Sequence, residues 1–550
     1  QPVRNVLASS VGPTERTALE RIDGELVVSA TDLVGHLACG HLTVLDGRAA
    51  LSALERPVRE DPELEVLTRR GLEHEAAYLQ RLRAEGLTVV EIAEPDRTLG
   101  RLEALRQREA DTREAMAAGA DVIFQATFLD ERHPVRWRGH ADFLRKVDRE
   151  SALGPWSYEP EDTKLARQVK PSAVLQLCHY AEQVARLQGV EPEQVHVVLG
   201  GQERRSIRLA EVAAYYRTTK ARFLAALAEE VETYPEPVGH CGVCRWSEVC
   251  ERQREDDDHL CRVAGLGREQ ARKLAAAGVG TLTALATTDG PLEVTGIGPA
   301  TLERLRRQAR LQHQRGDDPL PPVEPIRPVE PDRGLAALPE PSPGDLFYDI
   351  EGDPFAGDGQ GLEYLHGVGW VEPDGTFAFR AFWGHTPAEE RRAFEALIDL
   401  IVERRRQHPD LHVYHYAPYE PTALGRLMGR YGTREDELDD LLRGEVFVDL
   451  YRVVHQGLVI GSPSYSLKKI EPLYRPPRTA EITDAGSSIV EDERWLQTGD
   501  AQILTDIEAW LVEDHNVPVL SVSLAFRDAG AAYDPADRLG LANMTSALLD

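Results

Sequence analysis

The sequence predicts a multidomain α/β protein, and three observations carry that expectation. The chain has 550 residues, beyond the size at which a single hydrophobic core keeps growing. Its first half orders candidate elements as α-β-β-β-α-β, the apolar periodicity switching between helical and strand repeats. Residues 317–344 carry nine prolines. Proline at that density removes backbone donors and favours an extended spacer, so a second α/β segment is expected beyond it. The boundaries drawn from these signals are 1–255, 256–316, 317–343, 344–510 and 511–550.

Composition narrows the class. The chain is 42% hydrophobic and 28% charged, ordinary for a globular protein. No run of 18 apolar residues occurs, so no membrane span is expected. The opening stretch QPVRNVLASSVGPTERT has no apolar signal core, which favours the cytoplasm. A net charge of −29 disfavours phosphate contacts in general, although a basic groove can sit on an acidic body. LTRRGLEH, LARQVK and LERLRRQARLQHQR are the local basic runs.

In order along the chain, helical periodicity marks residues 69–86 and 101–119. Strands are expected at 121–130, 135–147 and 156–166, with the breaker DERHP making a hairpin of the first two. A helix with proline at its start covers 171–189, and QVHVVLGG reads as another strand. Residues 262–313 twice place a Gly-hydrophobic-Gly turn before a helix. Past the prolines, GDLFYDIEGDP begins a strand, and LHVYHYAPYEPTALGRL reads as strand, turn and helix.

Asp142 lies near the end of the second strand, and Asp162 and Lys164 lie at i and i+2 on the third, so the last two share a face. Two carboxylates and a lysine suit metal-assisted phosphodiester hydrolysis. The carboxylates hold Mg²⁺ or Mn²⁺ through oxygen, the metal activates water, and the lysine neutralises developing charge. Gln176 and Tyr180 share a face of the following helix, and His74 on an earlier helix could ligate a metal or contact phosphate. The ordered set His74, Gly139 with Asp142, Asp162 with Lys164, and Gln176 with Tyr180 resembles the RecB-family branch of the PD-(D/E)xK nucleases over roughly residues 25–255. That resemblance implies a restriction-endonuclease-like core and metal-dependent DNA cleavage, with Gln176 and Tyr180 near the site.

Cys241, Cys244 and Cys250 form a C-x2-C-x5-C run. Six cysteines in the whole chain are too few for a disulfide scaffold, so the run reads as a metal site that lacks one ligand. Iron–sulfur members of the resembled family, the AddB-type and CRISPR-associated nucleases, place one cysteine before the core and three after it. By that resemblance Cys39 completes a 4Fe–4S set and staples the two ends of the domain together. Zinc is the alternative, with His36, His41 or His240 as substitute ligands. Cys178 reads as a packed thiol and Cys261 as free and buried.

Gly265 with Gly267, and Gly296 with Gly298, resemble helix-hairpin-helix motifs, whose tight turns expose helix N-terminal amides to DNA phosphates. Asp349 and Glu351 at i and i+2, with Glu420 in the segment that follows, resemble the first two motifs of DEDD exonucleases with a ribonuclease H-like fold. Glu420 stands where that family has aspartate, and Asp449 is a further candidate. The third motif is not found before residue 510, so a partial, truncated ribonuclease H-like module is expected, with an incomplete metal site. Residues 511–550 resemble the start of an insulinase-type peptidase domain that lacks its zinc motif, with Asn543, Ser546 and Ala547 in the motif positions. An open apolar edge at Val519, Leu520, Val522 and Leu524 follows from that reading, which treats the tail as a fusion or artefact. Together these readings give a DNA-processing nuclease; the resemblance implies exonuclease chemistry and a helicase partner. The alternative is a non-catalytic nucleic-acid-binding adaptor of a helicase–nuclease complex.

Overall fold

Val28, Ile123, Trp137, Leu144, Tyr158 and Val195 are fully buried, and together they centre the largest sheet, which has eight strands. The computed structural model describes residues 19–515, except 60, 96–97, 133–134, 229–231, 317 and 475–484. The strand residues expected at Val519 to Leu524 and the motif positions Asn543, Ser546 and Ala547 lie outside the described residues. The chain divides into two compact units, 1–253 with 354–361, and 254–353 with 362–550.

The sheet of the first unit holds β1 (Glu20–Ile22), β2 (Glu25–Ser29), β3 (Val89–Glu91), β4 (Val122–Asp130), β5 (Arg136–Val147), β6 (Ser157–Thr163), β7 (Gln194–Val198) and β8 (Arg204–Arg208). Its order is β1-β2-β5-β6-β7-β8, with β4 also paired to β5 and β3 to β4. β4, β5 and β6 run antiparallel in succession, as the hairpin signal predicts. β6 and β7 are parallel, and parallel neighbours need a crossover. The helix Pro171–Gln188 supplies it, with proline in its first turn and Gly189 closing it in the left-handed region at φ 74°. The helix Pro62–Ala84 starts at Asp61, whose carboxylate accepts the Leu64 amide at 3.0 Å.

In the second unit, helices Arg268–Ala276, Leu282–Thr287 and Pro299–Arg315 close around Leu274, Leu285, Leu305 and Ala309. Gly265 and Gly296 take φ 77° and 80°, and Gly267 and Gly298 are the N-caps of the helices that follow. The turns therefore have the geometry that the glycine spacing predicts.

The proline-rich stretch departs from expectation. It is not wholly an extended spacer. β9 (Val323–Pro325) pairs antiparallel with a strand that follows much later, Leu458–Ile460. A turn of 3₁₀ helix at Gly334–Ala337 lies against the helix Leu450–Gly457, where a Cβ on Gly334 would stand 2.6 Å from the Gly457 Cα. A short strand tolerates proline where its missing N–H faces away from the ladder.

The sheet of this unit holds β10 (Leu346–Asp353), β11 (Leu362–Val371), β12 (Phe377–Trp383), β13 (Val413–His415) and β14 (Phe447–Asp449), ordered β12-β11-β10-β13-β14; β15 is Leu458–Ile460. β10 is antiparallel to β11 and parallel to β13. Phe394, Leu397, Ile398, Val413 and Leu424 bury one face. The helices Ala485–Thr498 and Ala501–His515 bury Ile489, Ile503 and Ile507 against Tyr364 and Leu365. This corrects the boundary placed at 510, which falls inside a helix. The late helices contribute to the core of this module, and their spacing alone did not reveal it.

Candidate active site

β5 and β6 bring the first set of residues together. With Phe143 opposite Glu161, Asp142 faces the end of β6, and its Oδ2 accepts hydrogen bonds from the Thr163 amide (2.9 Å) and hydroxyl (3.0 Å). Lys164 forms an ion pair with Asp162 Oδ2, an oxygen that makes no well-angled hydrogen bond. Asp162 is buried, and the Lys164 side chain is partly exposed. Burial raises the Asp162 carboxyl well above the usual carboxylate range, and the Asp142 charge adds to the effect. Asp142 is raised by burial and by the charge of Glu75. Burial pulls the Lys164 ammonium down, but the charges of Asp162 and Asp142 outweigh it and its pKa rises. The two aspartates thus form a coupled pair, the carboxyl of each raised by burial and by a neighbouring carboxylate.

Glu75, which the sequence reading passed over, belongs to this set. Burial pushes its carboxyl up to about 7, a hydrogen bond from Gln125 opposes the rise, and the Asp162 charge adds to it. Gln125 takes φ 58° inside β4, between the paired residues Phe124 and Ala126, and its amide donates to Glu75. A left-handed non-glycine residue within a strand costs on the order of 1–3 kcal/mol and concentrates at functional sites. His74 is placed differently from the expectation. Its Nδ1 lies 3.2 Å from the Gln202 amide nitrogen and its Nε2 3.5 Å from the Val198 carbonyl oxygen. Tyr180 is buried, and the charges of Asp162 and Asp142 add to the burial that raises its hydroxyl pKa. Gly139 leaves it room: a Cβ there would stand 3.3 Å from the Tyr180 ring and 3.2 Å from Phe128. Gln176 reaches Thr31 Oγ1 at 3.5 Å.

The cysteines come from both ends of the unit. Cys39 separates the helices Ala30–Ala38 and Gly40–Ala50, and Cys241 Sγ accepts the Val238 amide at 3.4 Å. Cys244 joins Leu45 and Trp246 in a buried cluster against which Cys250 packs. Burial raises the Cys244 thiol, the Trp246 amide opposes it, and Cys39 and Cys241 lie close enough to add to the rise. His36 Nδ1 and His41 Nδ1 lie 3.0 and 2.7 Å from the hydroxyls of Thr43 and Thr233. Burial lowers the pKa of His240. Cys178 is buried and pushed up to about 12, as a packed thiol should be. Cys261 is half-buried.

In the second unit, β10 carries Asp349, half-buried, and Glu351, buried. Glu420 is buried in the first turn of the helix Tyr419–Tyr431. Burial raises its carboxyl, His415 opposes the rise and the Asp349 charge adds to it. His415 Nδ1 is 2.7 Å from the Ala417 carbonyl and 3.6 Å from Glu420 Oε2, which is left without a hydrogen bond. Asp449 Oδ1 accepts the Ala417 amide at 3.0 Å and the Arg452 amide at 3.3 Å. It thus caps the helix Leu450–Gly457 and pins Ala417 at φ 76°. Among late carboxylates, Asp492 pairs with His385 at 2.8 Å and Glu508 accepts from Trp383 at 2.6 Å.

The donors in both carboxylate sets are oxygens, and each set has a buried carboxylate oxygen without a hydrogen bond. That chemistry fits a hard divalent cation. The cysteine set is sulfur and fits a soft metal. Among the described residues, no three His, Cys, Asp or Glu side chains already stand as a metal-ligating group. No helix among them is long and apolar enough to cross a membrane.

Residues 346–516 match a family model described as RNase_H superfamily, and residues 257–311 match one described as SAM-like Helix-hairpin-helix tandem. The first match spans β10 to the end of the late helices, and the second spans both glycine turns. No curated protein matches the chain. The matched segments are those of a nuclease-like, DNA-binding protein.

Proposed function

We propose that the chain is a metal-dependent nuclease that hydrolyses phosphodiester bonds in DNA, with a RecB-like site in the first unit and an RNase H-like site in the second. The observation that carries this reading is the buried gathering of Glu75, Asp142 and Asp162 around a single ammonium, that of Lys164. Three carboxyls against one cation leave an excess of negative charge that burial makes costly. A divalent cation would relieve it.

Asp142 and Asp162 would hold Mg²⁺ or Mn²⁺, which when bound polarises a phosphodiester and lowers the pKa of water. Thr163 fixes the rotamer of Asp142 through two hydrogen bonds. Lys164 would place positive charge beside the carboxylates, where a phosphate develops negative charge. Glu75, titrating near neutrality, can take up a proton. Asp349, Glu351 and Glu420 would serve a second cation site, and Gly265, Gly267, Gly296 and Gly298 would present amides to DNA phosphates. Cys39, Cys241, Cys244 and Cys250 would hold a 4Fe–4S cluster, or zinc, and tie the two ends of the first unit together.

The test is cleavage of end-labelled single- and double-stranded DNA, with RNA alongside, in Mn²⁺ or Mg²⁺. Wild type should cut DNA, and Lys164→Ala and Asp349→Ala should each remove a separate part of the activity. A folded wild-type protein that binds DNA and cuts nothing would identify a nucleic-acid adaptor instead.

A further inference from the structure

The helix Leu450–Gly457 carries an aromatic row that neither carboxylate set uses. Tyr451 and His455, one turn apart, stack with centroids 5.6 Å apart and 16° between planes. Tyr416 meets Tyr451 edge-on at 5.7 Å and 84°, and Tyr465 meets His455 at 5.1 Å and 69°. All four rings are partly exposed. Two are anchored by their hydroxyls: Tyr465 donates to Gln308 Oε1 at 2.8 Å, and Tyr416 donates to the Tyr465 carbonyl. The Tyr451 hydroxyl makes no hydrogen bond among the described residues.

One end of the row is positive and adjoins a hairpin glycine. Arg304 is exposed, and its charge is felt by both His455 and Tyr465. Arg304, His455 and Tyr465 line one small cleft with Gly265, the first glycine of the first hairpin turn. The other end of the row leads to the second carboxylate set, because Tyr416 directly follows His415, the neighbour of Glu420. Tyr416 and Tyr465 also pack against the buried Val454, Leu458, Ile460 and Ile470, which fixes the row, while Tyr451 is not part of that cluster.

We propose that Tyr416, Tyr451, His455 and Tyr465, with Arg304, form a stacking platform for single-stranded nucleic acid. Unpaired bases offer their faces to aromatic rings, whereas a duplex hides them, and a guanidinium beside the rings takes the phosphate. DNA and RNA strands share this chemistry. The proposal rests on the nucleic-acid reading of the chain and on neither cleavage reaction.

Binding of the full chain in EDTA, followed by fluorescence anisotropy, separates the two. The labelled probes are oligothymidylate, oligouridylate, an abasic strand with the same number of phosphates, and a hairpin duplex. Wild type should bind oligothymidylate or oligouridylate at least about tenfold more tightly than the abasic strand. Tyr451→Leu and His455→Ala should lower that affinity about tenfold and close the gap to the abasic strand, with the duplex unaffected. Tyr451→Phe should keep the gap. Arg304→Ala should weaken the base-bearing and abasic strands alike and reduce the salt slope by about one. Thermal melting confirms that each variant is folded. The ratio of thymidylate to uridylate affinity identifies the strand chemistry. Equal wild-type affinity for base-bearing and abasic strands, or a folded Tyr451→Leu protein that keeps the gap, overturns the proposal. Strand binding that follows these rules in a protein with no cleavage activity supports the platform and counts against the nuclease reading alone.

Discussion

In the first unit Asp142 and Asp162 face a lysine, whereas in the second Glu420, which feels the Asp349 charge, faces a histidine. The charges of Asp162 and Asp142 keep the lysine charged, so the first set carries part of its own compensation. His415 spends its Nδ1 on the Ala417 carbonyl and stands 3.6 Å from Glu420 Oε2, beyond hydrogen-bond distance. The second set therefore depends more on an added cation to settle its carboxylates. The units differ in sulfur too. No cysteine occurs after residue 261, so any thiolate-bound metal can staple only the earlier part of the chain.

The largest effect expected from this contrast is on Lys164. Lys164→Ala should lower cleavage by about 10²–10³-fold or more, the size seen when one preorganised charge is removed from a developing anion. No single substitution near His415 should match it, because His415 spends its Nδ1 on the Ala417 carbonyl. A kinetic comparison of Lys164→Ala with His415→Ala checks this, and equal losses would break the contrast.

Next comes Cys39→Ala. If a thiolate-bound group staples the first unit, this variant should lose the metal, and with it the visible absorbance of an iron–sulfur cluster, and should lower the melting temperature of the first unit only. Metal analysis and calorimetry under anaerobic conditions read both. A wild-type protein that carries one stoichiometric zinc would select the alternative.

The third prediction uses Glu75, whose carboxyl rises from an ordinary 4.5 to about 7. A raised folded-state pKa means that the folded protein holds the proton more tightly than the unfolded chain. The stabilisation is complete below about pH 4.5 and is lost as pH climbs through 7. The span corresponds to roughly 3 kcal/mol at most. Metal-free wild type should therefore lose stability between about pH 5 and 8, and Glu75→Gln should flatten the loss. Urea denaturation at several pH values measures it, and an unchanged slope in Glu75→Gln would remove Glu75 from the set.

The smallest effect is at Glu420. Glu420→Gln keeps the side-chain shape and removes a buried charge that lacks a hydrogen bond. Metal-free stability should rise by about 1 kcal/mol or stay level, while cleavage assigned to the second site falls. A loss of stability would mean that the Glu420 charge is well compensated and the contrast with the lysine site is overstated.

Much of the first site was readable because its logic is local. Asp162 and Lys164 share a face by strand alternation, and a hairpin signal between β4 and β5 made antiparallel neighbours of consecutive strands. Glu75 was not readable. Residues 74 and 75 are about 100° apart on one helix, and the sequence gives no reason to favour either. The choice is made by Tyr78, which docks that helix through a 2.5 Å hydrogen bond to Glu161 and an edge contact with Phe143. Gln125 is likewise an ordinary strand residue in sequence, and its left-handed backbone appears only within the sheet.

By itself the sequence determined the features that a few neighbouring residues control: the glycine turns at Gly265 and Gly296, the proline and glycine that bound the helix Pro171–Gln188, and the alternation along β10. Tertiary structure decided what depends on partners far away in the chain. It folded Val323–Pro325 onto Leu458–Ile460, set Ile503 and Ile507 against Tyr364, and turned Glu75 rather than His74 toward the aspartates. The physical reason is that backbone geometry and capping follow from local sterics and hydrogen bonds. The rotation of a helix, the path of a proline-rich strand and the burial of a late helix follow from which distant apolar surface each one covers.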